Sequence, residues 1–206
     1  TAVIESLSQE GTGGDINIYA QGNINTRSGE LTSRSDTGDG GNVSLRSGGN
    51  ITTAVIESLS QDGRGGDIAL NAGGEAIATG GELVSRSQTG EGGNISLRAE
   101  GDISTGFIES FSGQGIRGGS IEIISGNGTV NTTVGDLSGE PQIAPNADVS
   151  TQAVATTFET ERANLSSFAP EGIGGSVTIE AKEDVTTSHI SSFGGEDSGD
   201  VRIITD

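Results

Sequence analysis

The opening segment TAVIESLSQEGTGGDI, residues 1–16, returns almost unchanged as TAVIESLSQDGRGGDI at residues 53–68, a shift of 52. Repetition at such a period constrains a chain more than its composition does. One unit is too small to bury its own apolar face, so successive units must stack and form a shared core. A degraded third copy, TGFIESFSGQGIRGGSI, occupies residues 105–121 with one residue added. Between these copies GELTSRSDTGDGGNVSLRSGG from Gly29 matches GELVSRSQTGEGGNISLRAEG from Gly81, again 52 apart. Halving the period exposes the smaller unit. The second glycine of each Gly-Gly pair falls at Gly14, Gly41, Gly66, Gly93 and Gly119, in steps of 27, 25, 27 and 26. Gly175 follows after 56, read as two units with a short insertion, and Gly199 comes 24 later.

Each unit holds three short segments in which apolar and polar residues alternate. The first carries Ile16 and Ile18, Val43 and Leu45, Ile68 and Leu70, Ile95 and Leu97, Ile121 and Ile123, Val177 and Ile179, Val201 and Ile203. The second is marked by Ile24, Ile51, Ile77, Ile103, Val130, Val149 and Val185. The third is marked by Ile4, Leu31, Ile56, Leu83, Ile108, Leu137, Leu165 and Ile190. Alternation places these residues on one side of a strand. No segment has a partner inside its own unit, so each must pair in parallel with its counterpart one unit away, about 4.8 Å distant. The predicted fold is all-β: a right-handed parallel β-helix, a three-sheet solenoid of about eight coils of roughly 26 residues, its hand assigned by the rule for parallel crossovers. Such a rod is about 35–40 Å long. Helical solenoids are excluded because glycines interrupt every candidate stretch, and a doubly wound α/β fold lacks crossover helices. Residues 1–206 read as a single domain, either a section of a longer solenoid or a subunit that stacks end to end.

Composition sets the character of the interior and the surface. With 36 Gly, five Phe, one Tyr and no Met, Cys or Trp, the core must be a thin one of Ile, Val, Leu, Ala, Ser and Thr. Disorder is the usual fate of glycine-rich polar chains, but it gives no reason for β-branched residues at fixed intervals. Twenty-nine acidic residues against ten basic ones give a formal charge of −19, which disfavours nucleic acid and anionic membranes as partners. No apolar run is long enough for insertion into a membrane.

The residue after each Gly-Gly pair is Asp15, Asn42, Asp67, Asn94, Ser120 or Ser176, with Asp200 after Ser-Gly. This is the expected composition of a corner, where glycine reaches positive φ and a short polar side chain bonds nearby backbone. No metal site is expected there. The nine-residue rhythm of calcium-binding coils is missing, leaving at most a weak, diffuse Ca²⁺ association. In the third segment, Ser6, Ser33, Ser58, Ser85 and Ser110 fall on the inner side, as do Ser8, Ser35, Ser60, Ser87 and Ser112. Their hydroxyls must bond each other or the backbone. The outer side carries Leu7, Arg34, Leu59, Arg86 and Phe111, with Phe168 and Phe193 further on, which makes it the candidate lateral interface. Beside that stripe run Glu5, Thr32, Glu57, Val84 and Glu109.

The rhythm breaks over residues 126–175. Pro141 and Pro145 mark a loop, and extra residues from Gln152 to Asn164 are expected to protrude from a corner, with Val154, Phe158 and Glu161 as a short helix or loop. Gln152, Val154, Phe158 and Glu161 form the candidate contact region, because irregular segments are where specific contacts concentrate.

The run GGDINIYAQGNI from Gly13, repeated as GGNVSLRSGGNI from Gly40 and GGNISLRAEGDI from Gly92, resembles the repeats of filamentous-haemagglutinin-like exoproteins, with large cyanobacterial surface proteins closest in look. That resemblance implies two-partner secretion through an outer-membrane barrel and a rod at the cell surface or in an extracellular filament. Catalysis is not expected. A lone histidine, His189, makes no metal site, and no nucleophile elbow, phosphate loop or metal-ligand spacing is present. The leading expectation is a non-catalytic structural shaft of a surface filament or adhesin that associates with itself, laterally or end to end. The alternative is a carbohydrate- or matrix-binding module using Phe111, Phe168 and Phe193. Ice binding fits poorly, because Thr52, Thr53, Thr132 and Thr133 make no regular Thr-x-Thr array.

Overall fold

The computed structural model describes residues 3–74, 76–115, 117–133, 165–187 and 189–205. All regular structure among them is β-strand, and every strand pairing is parallel. The chain is a parallel β-solenoid. Its first column stacks Ile16–Ala20, Val43–Ser47, Ile68–Ala72, Ile95–Ala99, Ile121–Ser125, Val177–Ala181 and Val201–Thr205 into a 7-stranded sheet. A second column runs through Ala76–Thr79, Asp102–Ser104, Val130–Asn131 and Val185–Thr186. The third runs through Ile4–Ser8, Leu83–Ser87, Ile108–Ser112, Leu165–Ala169 and Ile190–Gly194. The long strands Ile24–Ser35 and Ile51–Ser60 belong to both, turning from the second column into the third with a register shift between Thr26 and Glu30. Hydrogen bonding therefore joins these two columns into one 11-stranded sheet, where three separate stacks were expected.

The register matches the apolar positions one for one. Ile68 lies between Val43 and Ile95, Ile56 between Leu31 and Leu83, and Ile77 between Ile51 and Ile103. All of them are buried, and together they line one continuous core. Each contributes about 2–3 kcal/mol of hydrophobic stabilisation at full burial.

The 56-residue interval before Gly175 holds one coil rather than two. Ile108 pairs directly with Leu165, Val130 with Val185, and Ile121 with Val177. The places expected for Leu137 and Val149 are thus taken by Leu165 and Val185. The first column has seven strands against the expected eight or so coils. Spacing misled here because inserted chain and a full coil consume similar numbers of residues. Leu137, Val149, Pro141, Pro145 and the candidate contact region of Gln152, Val154, Phe158 and Glu161 lie outside the described residues.

Small polar residues complete the interior. Ser33, Ser58, Ser85, Ser110 and Ser167 are fully buried, and each closes two hydrogen bonds. The Ser85 hydroxyl donates to the Gly66 carbonyl of the preceding coil (2.9 Å), while the Gly93 N–H donates to Ser85 Oγ (2.9 Å). The Gly93 carbonyl then accepts from Ser110 Oγ (2.8 Å). The same alternation runs unbroken from Ser6 to Gly199, at 2.8–3.0 Å throughout. A second chain links Gly11 to Ser112 through Ser35, Gly38, Ser60, Gly63, Ser87 and Gly90. The inner serines therefore bond backbone rather than each other, and the hydroxyls of Ser33, Ser58, Ser85, Ser110 and Ser167 all donate to the preceding coil.

These chains account for the glycine pairs, and the reason differs from the one expected. None of the paired glycines has positive φ; Gly11 (φ 140°) alone does among the described residues. Close approach is what excludes a side chain. A Cβ on Gly65 would meet Ser85 Oγ at 2.5 Å, and one on Gly66 would fall on the Gly41 carbonyl oxygen. The first glycine makes room for the serine hydroxyl, and the second lets one corner lie on the next.

Candidate functional site

The corner that follows each glycine pair forms a side-chain ladder along the rod. Asp15 Oδ1 accepts the Asn42 N–H (2.8 Å), and Asn42 Oδ1 accepts the Asp67 N–H (2.8 Å). Asp67 Oδ1 accepts the Asn94 N–H (2.7 Å), and Asn94 Oδ1 accepts the Ser120 N–H (2.9 Å). Ser176 and Asp200 hold the same corner through their carbonyls, which accept the Ile121 and Val177 N–H groups (2.8 Å each). The side-chain bonds to backbone are thus made by Asp15, Asn42, Asp67 and Asn94, each crossing to the next coil.

Aspartate alternates with asparagine along this ladder, so no carboxylate is stacked on another carboxylate. The Asn94 amide also donates to Asp67 Oδ1 (3.2 Å). Asn42→Asp keeps the acceptor but sets three carboxylates in series about 4.8 Å apart. It is expected to cost about 0.5–1 kcal/mol at neutral pH and low salt. Denaturant titration at two ionic strengths checks this: the loss should shrink in salt.

Sequence reasoning missed two further ladders. Asn50 N–H donates to Asn23 Oδ1 (2.8 Å), Ala76 N–H to Asn50 Oδ1 (3.0 Å), and Thr129 N–H to Asp102 Oδ1 (2.9 Å). The recurring Gly-Asn-Ile and Gly-Asp-Ile at Gly22, Gly49 and Gly101 was the available signal. Inside the second column, Thr26 bonds Thr53 (2.8 Å) and Thr79 bonds Thr105 (2.7 Å). Thr53 and Thr132 are both buried and unavailable to an outer ligand.

On the outer face of the third column every residue of the candidate lateral interface falls into a single file. Leu7 pairs with Arg34, Arg34 with Leu59, Leu59 with Arg86, Arg86 with Phe111, Phe111 with Phe168, and Phe168 with Phe193. Leu7 is 65% exposed, whereas Leu59 and the three phenylalanines are half-buried because each side chain covers the next. The Phe111 and Phe168 rings stack with centroids 5.6 Å apart and planes at 8°, and Phe168 and Phe193 at 4.9 Å and 17°. The Arg86 guanidinium sits 5.3 Å from the Phe111 centroid and bonds Glu109 at 2.6 Å. The rings thus turn their faces to each other and their edges outward. A sugar ring stacks on an aromatic face, so this file offers a glycan little. Phe168→Ala is expected to remove both stacks at about 1–3 kcal/mol, read as a local loss of amide protection in the strands around it.

Acidic groups gather at the middle of the same face. Thr32 Oγ1 donates to Glu30 Oε1 (2.8 Å), and Glu57 is held above the ordinary carboxylate range. The causes are burial first, then the neighbouring Glu30 and Glu82, with Arg86 opposing them. At the end of the file, Leu7, Ser8, Gln9, Arg34 and Asp36 line a shallow hollow of about 410 Å³, bridged by the Arg34–Asp36 ion pair at 3.4 Å. Tyr19, on the outer face of the first column, was not singled out from sequence. It is 76% exposed, with Arg46 5.7 Å from its ring centroid.

His189 is half-buried, and its carbonyl accepts the Leu165 N–H (3.3 Å). Among the described residues no group of three or more His, Cys, Asp or Glu is placed to hold a metal ion. No helix among them is long and apolar enough to cross a membrane. None of the family models, curated proteins or solved structures compared with this chain matches it.

Proposed function

We propose that this chain is a shaft section of an extracellular filament or adhesin, a non-catalytic, right-handed three-faced β-helix that associates laterally through the outer file of its third column. The observation that carries this reading is the continuous stack of strands and Ser–Gly bonds, which ties the backbone and the inner serines of each coil to the coils beside it. Such a lattice makes a stiff rod and leaves little side-chain chemistry for turnover. Resemblance of the Gly13, Gly40 and Gly92 repeats to filamentous-haemagglutinin-like exoproteins supports secretion and a place at the cell surface. Ile4, Val201 and Ile203, core positions at the two ends of the ladder, are 39%, 48% and 47% exposed. They are where another coil, from the same polypeptide or a second copy, would stack.

Electron microscopy of the purified chain at high concentration tests this proposal. Laterally bundled rods support it; monodisperse rods retained on a glycan array sink it in favour of the binding module. The double variant Leu59→Ser, Phe111→Ser is expected to abolish bundling while the far-ultraviolet spectrum stays that of a β-rod. Collapse of the fold instead would refute the outward placement of the file.

A further inference from the structure

Resting on the lateral reading above and deepening it, we infer that the partner on this face is a second copy pointing the same way, related by a two-fold axis parallel to the rod. Each of the first five coils places three residues on the outer side here: one before the inward Ile or Leu, and two after it, with Thr32 and Val84 in the middle buried beneath their neighbours. In one coil these are Val3, Glu5 and Leu7, and in the next Glu30, Thr32 and Arg34. Val55, Glu57 and Leu59 follow, paired with the Glu30 row. Glu82, Val84 and Arg86 come next, then Phe107, Glu109 and Phe111. Over these five coils the flanks alternate with the 52-residue repeat: one coil is apolar on both flanks, and the next is acidic on one flank and basic on the other. The last two strands of the column leave this pattern, carrying Phe168 and then His189 with Phe193.

A two-fold axis parallel to the rod exchanges the two flanks at constant height. Glu30 then meets the second copy's Arg34, Glu82 meets its Arg86, and apolar rows meet apolar rows. A two-fold axis across the rod returns each flank to itself, setting Glu on Glu and Arg on Arg. A slip of one coil sets apolar rows against charged ones. Like charges and unmatched charges resist such docking, so the parallel, in-register pair is the arrangement selected. Seven coils at about 4.8 Å and five-residue strands at about 3.3 Å per residue give a face of roughly 550 Å², or about 1,100 Å² for the pair. That lies at the lower limit for specific association, so the pair is weak at this length and tightens with each added coil.

On the midline, Glu5, Glu57 and Glu109 face their own copies. Glu109 is already neutralised by Arg86. Glu57, faced by Glu30 on its own side of the preceding coil and by Glu82 and Arg86 on the next, retains protons more readily than an ordinary carboxyl. Pairing removes it further from water, so association strengthens as pH falls through the Glu57 range and weakens above it.

Sedimentation velocity tests the flank charges by exchange, and cysteine cross-linking separates the parallel pair from the antiparallel one. Glu30→Lys with Glu82→Lys, and separately Arg34→Glu with Arg86→Glu, should each weaken self-association at least tenfold, and an equimolar mixture should restore it. Wild type that associates while the mixture stays monomeric would overturn the parallel pair and leave the lateral reading standing. Wild type monomeric at every concentration and pH would overturn both. A second arm needs no charge reversal, since the chain has no cysteine. Glu5→Cys and Ser191→Cys should each cross-link to itself under mild oxidation, whereas cross-linking only between the two variants means an antiparallel pair. Glu57→Gln should associate at neutral pH as tightly as wild type does in acid; an unchanged pH profile would overturn the midline argument.

Discussion

Gly93→Ala is expected to break the stack between two coils, at a cost of about 3–5 kcal/mol. The added Cβ would fall on the Gly66 carbonyl oxygen, with the Gly65 carbonyl next nearest at 2.6 Å. Both neighbours are backbone, so no rotamer change relieves the clash. The corner must lift, and lifting it lengthens the Gly93 N–H bond to Ser85 and the Ser110 bond to the Gly93 carbonyl together. Gly22→Ala is the matched control, because nothing lies within 4 Å of its Cβ position. It should change stability by no more than about 0.5 kcal/mol. Amide exchange is the right measurement, since solenoids open locally and a single global midpoint blurs the effect. Protection should fall in the coils either side of Gly93 and persist at the far end of the rod. Equal behaviour of the two variants would mean that the corners are not held in contact.

Ser85→Ala should cost about 2–4 kcal/mol although it removes a single oxygen atom. Ser85 is fully buried, and its loss strands the Gly93 N–H and takes the hydroxyl donor from the Gly66 carbonyl, each worth about 1–3 kcal/mol when unsatisfied. Ser44→Ala, on the outer side of the first column, should be nearly neutral. The two substitutions delete the same atom, so the difference between them measures burial and bonding alone. A loss below about 0.5 kcal/mol at Ser85 would show that the serine chain fills space without holding the coils.

Both predictions concern small residues, and small residues are where sequence reading and structure part company. The columns Ile68–Ile95–Ile121 and Ile56–Leu83–Ile108 were legible because alternation and a period near 26 admit one pairing: parallel, in register, one coil apart. The inward serines and the outward file of Leu7, Leu59 and Phe111 followed from the same parity. Asp15, Asn42, Asp67 and Asn94 were recognisable as corner residues because a short polar side chain beside glycine has few other uses. Asn23 and Asn50 carry the same signal at a second corner and were passed over, since a less regular sequence surrounds them.

Parity says which side of a strand a residue takes, and period says which residue it stacks on; the residues themselves decided both, and with them the all-β solenoid. Distances across the stack belong to the tertiary structure. Only there does it emerge that the glycine pairs serve close approach rather than positive φ, because nothing local to Gly65–Gly66 shows that Ser85 and the Gly41 carbonyl will arrive beside them. The direct pairing of Ile108 with Leu165 is likewise a tertiary fact: a ladder closes over inserted chain whenever the strands on either side keep their register, and spacing along the chain cannot tell an insertion from a coil.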